Sequence, residues 1–369
     1  MRKREFITLL GGAAAGWPLA ARAQQGQRNK QIRIGFLAAA VPTPAMRSAF
    51  RDALRERGYV EGQNLSIADR WPQRSLDEMS DIAAELVRSD VDIIVAWSTP
   101  ATLAAKAATA TIPIVMLVGD PMGTDLVPSL ARPGGNITGF AQLVPDLSAK
   151  QLQLLIEVMP ELRRVGIVRN PSNPALTVAL REVENAIHVL GLEFHTVDAK
   201  LPQEFESAFA RLTAEGVKGV VVLPDPSVIE HRSMIAALAQ KSRLPTMFQR
   251  RESVEAGGLM SYGPDLPDTL RQAASYVDRI LNGTKPGDLP VQQATKIELV
   301  INLRTTATVA QKTFSQINSL GGNGPKLAER RRRKNASCPG FCRAKGPAQN
   351  PFTLLMANRR VKAGFFLGL

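Results

Sequence analysis

Residues 92–118 read DIIVAWSTPATLAAKAATATIPIVMLV: two apolar runs, Asp92 to Ala96 and Ile114 to Val118, flank a small-residue helical segment from Ala101 to Ala108. Runs of this length, rich in Ile and Val and joined by a segment of helical period, read as strand–helix–strand with both strands buried and parallel. The alternation extends in both directions. Upstream, Ile32 to Leu37 reads as a strand. Met46 to Arg57 reads as a helix with Ala49, Phe50, Ala53 and Leu54 on one face and Gly58 at its stop. Leu65 to Ala68 is a further strand, Leu76 to Arg88 a helix, and Ile137 to Phe140 completes the first set.

The pattern then restarts. Helices are expected at Leu152 to Val158, Ala175 to Leu190, Glu204 to Leu212, Ile229 to Ala239 and Leu266 to Leu281. Strands are expected at Val165 to Val168, Phe194 to Val197, Gly219 to Leu223, Thr246 to Phe248, Gly257 to Tyr262 and Ile297 to Ile301. The fold class is α/β, as two successive doubly wound halves. No low-complexity linker separates them, so short crossing segments join them and can act as hinges.

The 369 residues carry a net charge of +13, which at first sight points to nucleic acid. Its distribution argues otherwise: residues 1–23 hold +3, residues 308–369 hold +11, and the body between them −1. Arg2-Lys3-Arg4, the apolar stretch Phe6 to Ala20 and the small-x-small Ala21-Arg22-Ala23 read as an export signal cleaved after Ala23. It is twin-arginine-like, with Lys3 in place of the first arginine, and implies a periplasmic protein that does not itself span the membrane. After Thr306 the periodicity stops and Arg330-Arg331-Arg332-Arg333-Lys334 appears, so 308–369 reads as a basic, poorly structured tail without a nucleic-acid role.

Motifs for catalysis are scarce. The chain has no G-x-S-x-G elbow, no H-E-x-x-H and no phosphate-binding G-x-x-x-x-G-K-[ST]. His188, His195 and His231 lack metal-ligand spacing, and Cys338 and Cys342 both lie in the tail. Neither a metal nor a cofactor is expected. Ligands of open α/β sheets bind at the carboxyl ends of the strands. There the sequence offers Trp97, Ser98, Thr99 and Asp120 in the first half, and Asn170, Asp225 and Tyr262 in the second. Hydroxyls at helix starts suit a carboxylate, Asp120 or Asp225 an ammonium, and Trp97 or Tyr262 an apolar or aromatic portion. Taken singly, Ser, Asn and Asp before a helix are equally ordinary N-caps. Their concentration on one edge favours a small-molecule site.

The same segments carry a resemblance. Gly58-Tyr59-Val60-Glu61-Gly62-Gln63-Asn64, Gly119-Asp120-Pro121, Leu130 to Gly139, Gly257 to Gly263, and Asp278 to Gly283 with Pro286 to Val291 resemble the substrate-binding proteins of ABC transporters of the tryptophan/tyrosine type. The resemblance covers about residues 1–306. It implies a type 1 periplasmic-binding-protein fold, with two Rossmann-like lobes and a ligand cleft between them. Its lobes would be 30–142 with about 263–290, and 143–262 with about 291–307. It further implies a non-catalytic, monomeric protein that delivers an amino acid or related carboxylate to a membrane permease. An exported racemase or hydrolase using cleft carboxylates is the competing reading; a sensory domain would need a DNA-binding segment where the export signal stands. The chain departs from the family after Ala307, where Thr308-Val309-Ala310-Gln311 and the basic tail replace the expected final segment. This reads as a frameshift near codon 307.

Overall fold

The computed structural model describes residues 31–73, 75–302, 304–305 and 341–343. The expected export signal and, apart from Phe341–Arg343, the basic tail lie outside the described residues. The chain divides into two compact units. One reaches to Phe140 and takes in Leu266–Gln292; the other runs Ala141–Asp265 and continues from Gln293.

In the first unit, β1 (Ile32–Ala38), α1 (Pro44–Arg55), β2 (Leu65–Arg70), α2 (Met79–Arg88), β3 (Ile93–Trp97), α3 (Thr99–Ala108) and β4 (Ile114–Val118) alternate. β5 (Ile137–Ala141), the later helix α10 (Leu266–Leu281) and the two-residue strand β11 (Gln292–Gln293) complete it. The sheet order is β11-β5-β4-β3-β1-β2, with β2 and β3 parallel to β1 and β4 parallel to β3. Every residue of β3 and β4 is buried, as their unbroken apolar runs require of strands covered on both faces.

The start of α1 shows how local chemistry sets an element. The Thr43 hydroxyl accepts from the Met46 N–H at 3.3 Å and Pro44 occupies the first turn. Met46, Ala49, Phe50, Ala53 and Leu54 form the buried stripe, and the Phe50 ring packs on Phe36 with centroids 5.6 Å apart. At Gly58 the chain takes φ +89°, which a residue with a Cβ rarely adopts. The following turn is closed by Asn64, which accepts from the Val60 N–H at 2.7 Å and donates to the Gly58 carbonyl at 2.8 Å. The Tyr59 hydroxyl donates to Asp278 of α10 at 2.8 Å. Burial, with the Asp278 carboxylate as acceptor, pushes this phenol up to about 12. The family-like Gly58–Asn64 segment is thus a structural clasp.

The second unit holds α4 (Val144–Val158), β6 (Arg164–Arg169), α5 (Ala175–Val189), β7 (Glu193–Asp198), α6 (Pro202–Ala214), β8 (Gly219–Val222), α7 (Pro226–Glu230), α8 (Arg232–Lys241), β9 (Thr246–Phe248), α9 (Arg251–Glu255) and β10 (Met260–Pro264). β12 (Ile297–Asn302) and β13 (Phe341–Arg343) complete a sheet ordered β13-β12-β10-β9-β8-β6-β7. Strands β7, β6, β8, β9 and β10 are parallel, while β12 and β13 are antiparallel additions at the edge. Side chains alternate between two cores: Ile167 and Val221 join Leu152, Leu155 and Val183 on one face, and Val168, Val220 and Val222 join Phe205, Phe209 and Ile235 on the other.

Several elements depart from the sequence expectation. α4 begins at Val144, eight residues before the expected Leu152, because its buried stripe includes the polar Ser148 and Gln151, which interrupt the apolar period. The helix expected at Ile229–Ala239 is two, divided where His231 leaves helical angles (φ −97°, ψ 18°). The strand expected from Gly257 starts at Met260, since Gly257 closes the one-turn helix α9. Within the expected unstructured tail, Phe341–Arg343 forms β13, with Cys342 opposite Ile301.

Candidate functional site

At the carboxyl edge of the first sheet, β3 runs into Ser98 and α3. Trp97 is the last residue of β3 and only 3% exposed, so it forms part of the floor beneath the edge. Ser98 has φ 97° and ψ 159°, a region essentially reserved for glycine. It is held there by four hydrogen bonds. Its N–H donates to the Leu117 carbonyl at 2.9 Å, its hydroxyl accepts from the Ala101 N–H at 3.4 Å, and its carbonyl accepts from the Thr102 N–H at 3.1 Å and the Thr102 hydroxyl at 2.9 Å. Thr99 is buried as the first residue of α3, followed by Pro100, which has no N–H. The start of α3 is therefore largely self-capped. Asp120, half-buried after β4, accepts from the Gly123 N–H at 2.9 Å through Oδ1, and its carbonyl accepts from the Thr124 hydroxyl at 2.6 Å.

The corresponding edge of the second sheet is built around Asp225, which is 1% exposed. Its Oδ1 accepts from Asn170 Nδ2 at 3.1 Å and from the Ser227 N–H and hydroxyl at 3.0 and 2.6 Å; its Oδ2 accepts from Asn173 Nδ2 at 2.8 Å. Asp225 thereby caps α7 and ties the ends of β6 and β8 together. Asn170, also buried, accepts in turn from the Ser172 N–H at 3.0 Å. Tyr262 lies half-buried on β10 against the α4–α5 core, and burial pushes its phenol up. Its carbonyl accepts from Gln151 Nε2 at 2.7 Å.

Further residues belong to this second edge. Gln249 and Arg250 follow β9, between the β8 and β10 ends, and are 2% and 7% exposed. The Arg250 guanidinium donates through Nη2 to Gln142 Oε1; Nε and Nη1 have no partner among the described residues, nor do Oε1 and Nε2 of Gln249 or Oε1 of Gln151. Burial pulls Arg250 down to about 10, so it remains a cation at neutral pH. Gly263 on β10 admits this loop, because a Cβ there would collide with the Gln249 carbonyl and lie 2.6 Å from its Cγ. The signal for Gln249 and Arg250 is the strand-end rule that selected the others, applied to a strand only three residues long. Gln142 and Gln151 have no comparable signal in the sequence. Among the described residues, no group of three or more His, Cys, Asp or Glu is placed to hold a metal.

The chain is similar to several known proteins. It is 26% identical over 293 residues to a tyrosine-binding protein of Clostridioides difficile (strain R20291), covering 79% of this chain and 84% of that one. It is 28% identical to a conserved domain protein of Vibrio cholerae, covering 78% of this chain and 98% of that chain at a TM-score of 0.72. It is 25% identical to the ABC domain from Streptococcus pneumoniae solved in complex with L-Trp, covering 78% and 98% at a TM-score of 0.70. No helix among the described residues is long and apolar enough to cross a membrane. The two mostly parallel sheets with alternating helices are those of the type 1 periplasmic-binding-protein fold. Residues 39–316 match the profile of the family described as ABC transporter substrate binding protein, and the chain belongs to that family.

Proposed function

We propose that this chain is an exported, non-catalytic and monomeric binding protein that captures an aromatic amino acid and passes it to an ABC transporter permease. The observation that carries the reading is the match, over 98% of its length, to the Streptococcus pneumoniae domain in complex with L-Trp. The polar strand ends support it. Asp120 at the first unit's edge suits the ligand's ammonium and the Tyr262 ring at the second unit's edge suits its aromatic group, with Ser98, Thr99 and Asn170 as the further polar candidates at those edges. Trp97 and Asp225 stand behind them and hold their positions. Capture is a population shift: the ligand stabilises the closed state by as much as it binds that state better than the open one.

The reading is tested by thermal unfolding of the full chain, stripped of ligand by denaturation and refolding, with L-tryptophan or L-tyrosine. A ligand specific to the folded state adds about 2.7 kcal/mol at a hundred times its dissociation constant. The midpoint is expected to rise with at least one of them, without turnover; no shift with either overturns the reading. Export is checked separately, by finding protein processed after Ala23 in the periplasmic fraction. Unprocessed protein retained in the cytoplasm would overturn that part.

A further inference from the structure

We infer that Arg250 anchors the carboxylate of the ligand, with the Gln249 amide as a second polar contact, an assignment that rests on the amino-acid reading above. Buried polar groups are nearly always hydrogen-bonded, so each exception calls for a reason. Among the described residues, seven buried side-chain nitrogen and oxygen atoms lack a partner, and four of the seven belong to Gln249 and Arg250. A guanidinium carries five N–H donors. Among the described residues only Nη2 has an acceptor, the neutral Gln142 side chain; Glu252 acts on the guanidinium through space, but no described carboxylate lies within ion-pair distance of it.

An arginine kept for structure would be paired with a carboxylate, since burying an uncompensated charge costs several kcal/mol. A transient anion supplies the missing partner. The position agrees, at the carboxyl end of β9 between the ends that bear Asp225 and Tyr262. The start of α7 at the same edge is capped by the Asp225 carboxylate itself and does not favour an anion. The neighbouring cation is also committed, with Arg251 paired to Glu255 at 3.0 Å and Glu298 at 3.4 Å. One unpaired cation matches a monoanion such as a carboxylate better than a phosphate dianion. Its free N–H groups at Nε and Nη1 suit an oxygen acceptor.

The test compares L-tryptophan with L-tryptophanamide, which keeps the ammonium and indole but has no carboxylate, on full-length wild type and Arg250→Met. Wild type is expected to prefer the acid by roughly 30-fold or more, as for one desolvated charge pair. Arg250→Met is expected to bind the two alike and, ligand-free, to unfold at a higher temperature, because an unpaired buried charge is gone. Arg250→Lys keeps the charge without the fork and is expected to retain part of the preference; it also serves if the Met variant does not fold. Wild type binding acid and amide alike would overturn the assignment, as would a Met variant that keeps the full preference. A lower ligand-free midpoint with equal losses for both probes would make Arg250 structural and also overturn it. If wild type binds neither tryptophan nor tyrosine, the amino-acid reading itself fails and the assignment falls with it.

Discussion

Asp120 and Asp225 each follow an inner, fully buried strand at the carboxyl edge of their unit's sheet, yet the two carboxylates do different work. Asp225 is 1% exposed and accepts four hydrogen bonds from three residues. Asp120 is half-buried, and its carboxylate accepts one backbone N–H. The same residue type at the same kind of place is an internal tie in one unit and a lightly engaged, half-buried carboxylate in the other. The difference lies in the neighbours: Asn170, Asn173 and Ser227 converge on Asp225, whereas the Asp120 carboxylate accepts from the Gly123 N–H through Oδ1.

The largest effect that would break this comparison is in Asp225→Ala. It leaves two buried amides and a hydroxyl without their acceptor, and we expect a loss of about 3 kcal/mol, read from the urea midpoint at unchanged slope. A loss below about 1 kcal/mol would show that Asp225 is not a tie. Asp120→Ala should do the reverse. Stability should change by less than about 1 kcal/mol, while the Kd for an aromatic amino acid measured by calorimetry rises about tenfold. Unchanged affinity would remove Asp120 as the ammonium partner.

Ser98→Gly sharpens the first unit's side of the contrast. Glycine accepts φ 97° and ψ 159° without strain, and losing the hydroxyl cap to glycine costs only a few tenths of a kcal/mol. The thermal midpoint is expected to rise by the equivalent of about 1 kcal/mol; a fall would mean that the Ser98 hydrogen bonds outweigh the strain. The smallest effect is at Tyr59→Phe, expected to destabilise by less than about 1 kcal/mol at pH 8. The fold raises the Tyr59 phenol from its ordinary 10.0 to about 12. The folded state therefore holds this proton more tightly than the unfolded one. Its stabilising effect is complete below about pH 10 and is lost as pH rises through about 12. The difference between wild type and Tyr59→Phe should shrink over that range, and a constant difference would contradict the Asp278 contact.

Regular structure was legible where one period ran undisturbed. β3 and β4 are unbroken apolar runs, and α1 has a clean stripe and a stop at Gly58, although its start lies at Pro44 behind the Thr43 cap and not at the expected Met46. It was least legible where polar residues enter the core, as Ser148 and Gln151 do in α4, and where one turn of helix interrupts a strand-like run, as α9 does before β10. The candidate site divides in the same way. The strand-end rule selected Trp97, Ser98, Thr99, Asp120, Asn170, Asp225 and Tyr262 as residues at the carboxyl edges of the two sheets, but it does not say which of them are already engaged. It passed over Gln249 and Arg250, although the expected strand has the observed bounds of β9, because a guanidinium and an amide after a strand carry no cap or turn signal of their own.

Hydrophobic periodicity, turn chemistry and the neutrality of the body are properties of neighbouring residues, and the sequence by itself determined them: an α/β chain in two halves with polar strand ends. Only the tertiary structure decided which of those polar groups have partners. Asp225 meets Asn170 and Asn173 from 55 and 52 residues away, and Arg250 reaches Gln142 across 108. Whether a buried carboxylate or guanidinium is satisfied depends on what lies within about 3 Å of it, and that distance is set by the sheet that brings remote segments together.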